Sequence, residues 1–238
     1  MWNDKTVSVV LPAFNEEMGI REAVESFFAT KLVDEVIVVN NNSTDRTVDE
    51  ALRAKATLIH ETQQGYGAAL TRGLTEASSD YVILAEPDGT FESKDIMKLL
   101  SYADDFEMVC GTRTTKELVW DEANMTWFLR FGNIIVAKWL EVLHNTCSLS
   151  DCGCTLRLIH RESLHRFLSF LTVKDSHFLP EMVILARKSG IRMIEIPVNY
   201  RGRKGTSKIT GTFKGTWKTG INMIKLITSY RFRTLEER

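Results

Sequence analysis

Val7-Ser8-Val9-Val10-Leu11-Pro12-Ala13-Phe14-Asn15-Glu16-Glu17 is the stretch that decides the fold. Val7–Leu11 is a short β-branched, apolar run. It stops at Pro12, which has no backbone N–H to donate, and a polar turn follows. Working outward, Ile20, Val24, Phe27 and Phe28 fall on one face of a helix between Met18 and Thr30. The same alternation recurs down the chain. Glu35–Val39 is a strand ended by Asn40-Asn41-Asn42-Ser43, and Thr44–Ala54 is a helix capped by Ser43 or Thr44. Ala56–Ile59 is a brief strand, and Gly67–Ser78 is a helix opened by a glycine-rich turn. Asp80–Ala85 is a strand, Lys94–Ala103 a helix and Glu107–Cys110 a strand.

Strands alternating with helices, each strand apolar on both faces, imply an α/β protein with a Rossmann-like, mostly parallel sheet and helices on both faces. Ligands bind beyond the carboxyl ends of such strands. Three polar turns follow strands there: Ala13–Glu17, Asn40–Asp45 and Glu86–Thr90. Beyond residue 111 the spacing predicts helices over Met125–Leu143, Phe178–Ser189 and Thr212–Arg231, and a strand over Met193–Tyr200. Gly190 stops the second of these helices.

Composition sets limits. The chain has 238 residues, 44% hydrophobic and 26% charged, enough for one substantial core and against disorder. Its net charge of −1 and the lack of a nucleic-acid-binding motif exclude nucleic acid as the partner. Cys110, Cys147, Cys152 and Cys154 have no zinc-knuckle spacing and read as reduced packing residues. Met1-Trp2-Asn3-Asp4-Lys5 lacks the basic region and apolar run of a signal peptide, and Ile134–Leu143 is too short to span a bilayer. A cytoplasmic protein that can lie on a membrane is expected.

Glu86-Pro87-Asp88-Gly89 carries two carboxylates one residue apart. They can hold one hard divalent cation, which takes phosphate oxygens as further ligands; Asp-Gly is also a common turn pair. Asn41, in the asparagine turn, can both donate to and accept from a base edge or a ribose, and Asn and Ser also favour capping turns. Gly65–Gly73 lets backbone approach a phosphate, but position 70 is Leu and the turn follows the third strand, so it is not a dinucleotide-binding fingerprint.

The combination is more specific than its parts. Val9–Glu16, Asn42-Ser43-Thr44-Asp45-Arg46-Thr47, Gly65–Gly73, Glu86-Pro87-Asp88-Gly89-Thr90 and Gly111-Thr112-Arg113 follow in that order. The chain resembles the inverting GT-A glycosyltransferases of family 2. Within them it is similar to the dolichol-phosphate mannose synthase branch of polyprenyl-phosphate glycosyltransferases, over roughly residues 6–210. The resemblance implies a GT-A domain at 1–210 followed by a basic amphipathic helix and tail at 211–238. It implies that Pro12, Asn15, Glu16, Asn41, Asp45 and Gly67 serve the nucleotide. Glu86 and Asp88 would bind Mg2+ or Mn2+ and the diphosphate, and Arg113 and Arg130 would face the phosphates. Arg203 and Lys208 would belong to a basic loop that closes over them. This chain has Asn40-Asn41-Asn42 where the family usually has two aspartates and a glycine, which leaves the base open. It has Glu86-Pro87-Asp88 in place of Asp-x-Asp.

The implied reaction moves one sugar from a UDP- or GDP-sugar donor to a polyprenyl-phosphate acceptor. A phosphate monoester is already anionic at neutral pH and needs no general base. A hydroxyl acceptor would need one, and Asp151 is then the candidate, a turn or cap role being its alternative. A degenerate, non-catalytic nucleotide-binding module is the remaining alternative. Between Ile196 and Leu235 the chain has basic residues and no acidic one, so the last helix, with Trp217, Ile221, Ile224 and Ile227, suits a membrane surface. It suits equally the protein's own core, a homo-oligomer contact or a membrane-embedded partner subunit.

Overall fold

The computed structural model describes residues 1–123, 126–203 and 213–233, without the side chains of 213–216. The elements in chain order are β1 (Val7–Ala13), α1 (Ile20–Ala29), β2 (Glu35–Asn40), α2 (Thr47–Arg53), β3 (Thr57–His60), α3 (Tyr66–Glu76) and β4 (Tyr81–Leu84). There follow α4 (Ile96–Ser101), β5 (Met108–Thr112), α5 (Trp127–His144), β6 (Arg157–His160), α6 (Arg161–His165), α7 (Phe178–Lys188), β7 (Met193–Pro197) and α8 (Phe213–Tyr230). The strands form a seven-stranded sheet in the order β3-β2-β1-β4-β6-β5-β7.

All seven residues of β1 are buried, because β1 sits between β2 and β4 and is covered on both faces. Strand alternation sends its side chains to opposite sides. Val10 joins a core with Leu70 of α3, Leu140 of α5 and Met182 of α7. Val9 and Leu11 join a second core with Val24 of α1, Ala51 of α2 and Leu99 of α4. Two apolar layers on one sheet are what continuous apolar strands require.

The sheet is mixed rather than wholly parallel. β6 runs antiparallel to both β4 and β5. The sequence gives no strand signal here, since Arg157-Leu-Ile-His160 opens and closes on charge-capable residues. Arg157 is nevertheless fully buried. Its guanidinium donates to the carbonyls of Cys154, Cys152 and Leu179, which satisfies it without a carboxylate. Strand β7 stops at Pro197, short of the expected Tyr200, although Tyr200 still bridges to Phe91 and Val119. Neither Ser43 nor Thr44 caps α2, which begins at Thr47. The Asp45 carboxylate accepts from Thr47 N at 3.0 Å and Thr47 Oγ1 at 2.5 Å, while Ser43 Oγ accepts from Asn15 N at 3.0 Å. Gly190, with φ of +72°, ends α7 as expected.

Helix α8 packs one face on the protein's own core. Ile227 and Tyr230 are buried with Val136 and Ala137 of α5, and the Tyr230 hydroxyl donates to the buried Glu181 at 2.5 Å. Met125, the expected first residue of the long helix before it, lies outside the described residues.

Gly73 lets α3 settle onto the sheet. A methyl there would strike Val10 Cγ1 and lie 3.0 Å from Val39 Cγ2. Helix propensity alone favours Ala over Gly by about 1 kcal/mol, whereas overpacking a core costs about 1–3 kcal/mol. Gly73→Ala therefore lowers stability, read as a lower urea midpoint; an unchanged or raised midpoint would show that α3 is not seated this closely.

Candidate active site

The sheet order puts β1 between β2 and β4, so the turns leaving their carboxyl ends meet. Together with α5 and α8 they line a cavity of about 1000 Å³. Pro12, Ala13, Glu16, Asn41, Glu86 and Asp88 all border it. The lining also takes Leu129, Ile135 and Val136 of α5, Leu179 of α7, and Ile221 and Ile224 of α8, with the polar Asn133, Lys218, Thr219 and Asn222 among them.

Asp88 is buried at 1% exposure. One carboxylate oxygen, Oδ1, accepts from Thr90 N at 3.0 Å and Thr90 Oγ1 at 2.6 Å. The other, Oδ2, is buried without an aligned hydrogen bond, and what it faces is Arg203 Nη1 at 3.0 Å. The same guanidinium reaches Glu16 Oε1 through Nη2 at 2.6 Å. Glu86 is half-buried and accepts from Thr155 Oγ1 at 2.6 Å and from the Tyr66 hydroxyl at 3.4 Å. Burial first, then the neighbouring Asp88 charge, push the Glu86 carboxyl up to about 7. Asp88 Oδ2, paired with the Arg203 guanidinium, and the neighbouring Glu86 carboxyl offer oxygens that a divalent cation could take in Arg203's place. Glu86 and Asp88 thus fit Mg2+ or Mn2+. Among the described residues no group of three or more His, Cys, Asp or Glu is placed to hold a metal, so further ligands would come from phosphate oxygens and water.

Arg113 lines the cavity beside this pair. Its Nε and Nη2 donate to the two oxygens of Asp151 at 2.7 and 3.0 Å, and its guanidinium lies 5.3 Å from the Tyr200 ring centroid. Asp151 is itself held from behind: Glu195 on β7 accepts from Asp151 N at 2.9 Å and from Ser150 N at 2.7 Å. Both carboxylate oxygens of the candidate base are therefore engaged in fixing Arg113.

The residues expected to serve the nucleotide are engaged in hydrogen bonds within the protein. Asn41 donates to the carbonyls of Glu61 and Gln63 at 2.9 and 2.8 Å and accepts from Gly65 N at 2.8 Å and Gln64 Nε2 at 3.2 Å. An amide has two donors and two lone pairs, so these four bonds saturate it. Asn41 clips the 61–65 segment to the end of β2. Asn15, at φ of +53°, accepts from Thr44 N at 2.8 Å, and Asp45 also accepts from Glu17 N at 3.2 Å; these two tie the first turn to the second. Gly67 is buried against Val173 and Phe178, behind the cavity lining that Gly65 and Tyr66 form. Arg130 is half-buried and outside the lining, between Leu129 and Phe131, which belong to it. Lys208 lies outside the described residues.

Thr155, Tyr66, Tyr200 and Glu195 escape sequence reading. Each meets its partner only through the sheet: Thr155 is 69 residues from Glu86, and Glu195 is 44 from Asp151. A local motif carries no trace of such pairings.

The sequence model of Glycosyl transferase family 2 matches residues 8–168. An uncharacterized glycosyltransferase of Mycobacterium tuberculosis is 30% identical over 226 residues, covering 93% of this chain and 98% of its own. A dolichyl-phosphate hexose transferase of Haloferax volcanii is 27% identical over 231 residues, covering 95% and 96%. Among solved structures, glucosyl-3-phosphoglycerate synthase from M. tuberculosis, in complex with Mn2+, UDP and phosphoglyceric acid, superposes with a TM-score of 0.73 at 19% identity. That match covers 96% of this chain and 79% of the synthase, and it gives this chain the GT-A fold.

The raised Glu86 carboxyl sets a pH dependence in the metal-free protein. The folded form, near 7, holds its proton more tightly than the unfolded form, near the ordinary 4.5. The contribution to stability is full below about 4.5 and is lost as pH rises through about 7. Melting temperature measured in chelator from pH 5 to 8 should fall more steeply for wild type than for Glu86→Gln, which cannot ionise. Parallel curves would show that Glu86 is not perturbed.

Proposed function

We propose, for a chain that belongs to glycosyl transferase family 2, inverting transfer of one sugar from a UDP- or GDP-sugar to a polyprenyl or dolichyl phosphate at the cytoplasmic face of a membrane. That the protein is a glycosyltransferase follows from its family. The lipid phosphate rests on one observation. One cavity is lined both by the charged Glu86, Asp88, Arg113 and Arg203 and by apolar side chains of α5 and α8. A nucleotide-sugar and its phosphate acceptor suit the first, and an isoprenoid chain suits the second. Relatives named for the same acceptor support it: the H. volcanii dolichyl-phosphate hexose transferase, and a dolichyl-phosphate beta-glucosyltransferase of Dictyostelium discoideum that is 25% identical over 254 residues, covering 96% of this chain and 75% of its own.

The engagement of Asp151 favours this acceptor over a hydroxyl. A hydroxyl must lose its proton to a base as it attacks. Asp151 is instead committed to Arg113 through both oxygens. A phosphate monoester attacks as an anion and needs positioning and charge stabilisation. Its oxygen forms the new bond to the anomeric carbon on the face opposite the leaving group. The bond from that carbon to the nucleoside diphosphate breaks, and the electron pair departs with the diphosphate. Arg113, fixed by Asp151 and Tyr200, steadies the phosphates without having to be ordered during the reaction. Arg203, now spanning Glu16 and Asp88, is the mobile cation and exchanges the Asp88 carboxylate for diphosphate oxygens. Mg2+ or Mn2+ held by Glu86 and Asp88 would supply further positive charge to the departing diphosphate.

The test is incubation with polyprenyl phosphate, Mg2+ or Mn2+ and a panel of UDP- and GDP-sugars, followed by extraction of labelled lipid. One donor should label polyprenyl phosphate, and Asp88→Ala should cut the rate by about 100-fold or more, as loss of a charge-stabilising group does. Labelling of the unphosphorylated polyprenol, or of a saccharide instead, would refute the phosphate acceptor.

A further inference from the structure

The outward faces of α5 and α8 carry apolar side chains that are exposed among the described residues, some on the rim of the cavity and some beyond it. On α5, Trp127, Phe131, Ile135, Trp139 and Val142 recur every three or four residues, and Trp127 and Val142 are 75% and 76% exposed. On α8, Trp217, Ile221 and Ile224 do the same, with Trp217 60% exposed. The two stripes lie side by side: Trp139 Nε1 donates to Thr228 Oγ1 at 3.1 Å, and the His144 ring meets the Ile227 carbonyl at 2.9 Å. Monomeric proteins rarely expose so continuous an apolar patch without a use for it.

Charge identifies what covers the patch. Helix α8 contains no acidic residue. Lys218, Lys225, Arg231 and Arg233 are exposed along and just beyond it. The one acidic residue of α5, Glu141, is neutralised by Lys138 at 2.6 Å. A second copy of the chain meeting this face by two-fold symmetry would bring the same cations together. An anionic bilayer would not. Tryptophan rings, apolar with one polar N–H, favour the headgroup layer, and lysine and arginine reach from there to lipid phosphates.

We infer that the paired outer faces of α5 and α8 form the surface by which the protein docks on an anionic bilayer, both helices lying in the headgroup layer. Phe131, Ile135, Trp217 and Ile221 belong at once to this surface and to the cavity lining. Docking therefore sets the mouth of the cavity against the lipid. Resting on the lipid-phosphate reading above, the acceptor enters sideways from the bilayer, and turnover follows its surface fraction rather than its bulk concentration.

The test is co-sedimentation of the full chain with vesicles of equal parts phosphatidylcholine and phosphatidylglycerol, and with phosphatidylcholine alone. Binding should favour the anionic vesicles and weaken with salt. Trp127→Ala with Val142→Asp, and separately Lys225→Glu with Arg231→Glu, should each weaken it by about tenfold or more. These four residues lie outside the lining of the main cavity, so transfer to a water-soluble short-chain polyprenyl phosphate should keep its wild-type rate. Transfer to the short acceptor with no vesicle binding would overturn the docking surface and leave the reaction standing. Vesicle binding with no lipid phosphate labelled would do the reverse. A dimer in sedimentation velocity that Trp127→Ala dissolves, with no vesicle binding, would also overturn the inference.

Discussion

The site depends on a carboxylate kept where water cannot neutralise it. Asp88 lies in the turn that follows the buried strand β4, with one oxygen held by Thr90 and the other facing the Arg203 cation. Burying such a group is costly unless opposite charge or hydrogen bonds compensate. The surrounding edge supplies both, hydrogen bonds from Thr90 and the charge of Arg203. Arg203 balances Asp88 and Glu16 in the ligand-free protein and is available to phosphate once those carboxylates find another cation. Burial and the Asp88 charge push the Glu86 carboxyl up to about 7, and a metal there would favour its ionised form.

A second network stands behind the first. Glu195 on β7 holds the backbone of Ser150 and Asp151, Asp151 holds Arg113, and Arg113 lies over Tyr200. Nearby, the buried Arg157 gathers the carbonyls of Cys152 and Cys154, which fixes the segment that delivers Thr155 to Glu86. The antiparallel strand β6 carries Arg157 between β4 and β5, so the deviation from a parallel sheet adjoins the strand that leads to Glu86 and Asp88. Of Arg113 and Arg203, the first is locked by this network, and the second is held among the described residues by the Glu16 and Asp88 carboxylates, for which ligands would compete. That division suits a reaction in which one phosphate must be fixed and another must leave.

Much of this was legible in the sequence because it is local. The β1, β2 and β4 runs end in polar turns, and the register of a parallel sheet brings those turns together whatever lies between them. Glu86 and Asp88 are separated only by Pro87 and so lie close in space. The pairings that cross the sheet were not legible. Asp151 was readable as a base because nothing near it in sequence shows that Arg113, 38 residues away, occupies both its oxygens. Asn41 was readable as a base-contacting amide because the 61–65 backbone that saturates it arrives through a separate strand. The four-residue strand β6 hid behind Arg157, whose burial depends on carbonyls contributed by the loop before it and by α7. Of the readings open to helix α8, packing on the protein's own core holds for Ile227, while Trp217 is exposed.

The carboxylate pair and its displaceable arginine can be tested without catalysis, by titrating Mn2+ into the protein calorimetrically, alone and with UDP or GDP present. Mn2+ should bind weakly alone and about tenfold or more tightly with the nucleotide that fits, because each completes the other's ligand shell. Asp88→Ala should abolish that coupling. Equal Mn2+ affinity with and without either nucleotide, or coupling that survives in Asp88→Ala, would contradict a diphosphate site built on Glu86 and Asp88.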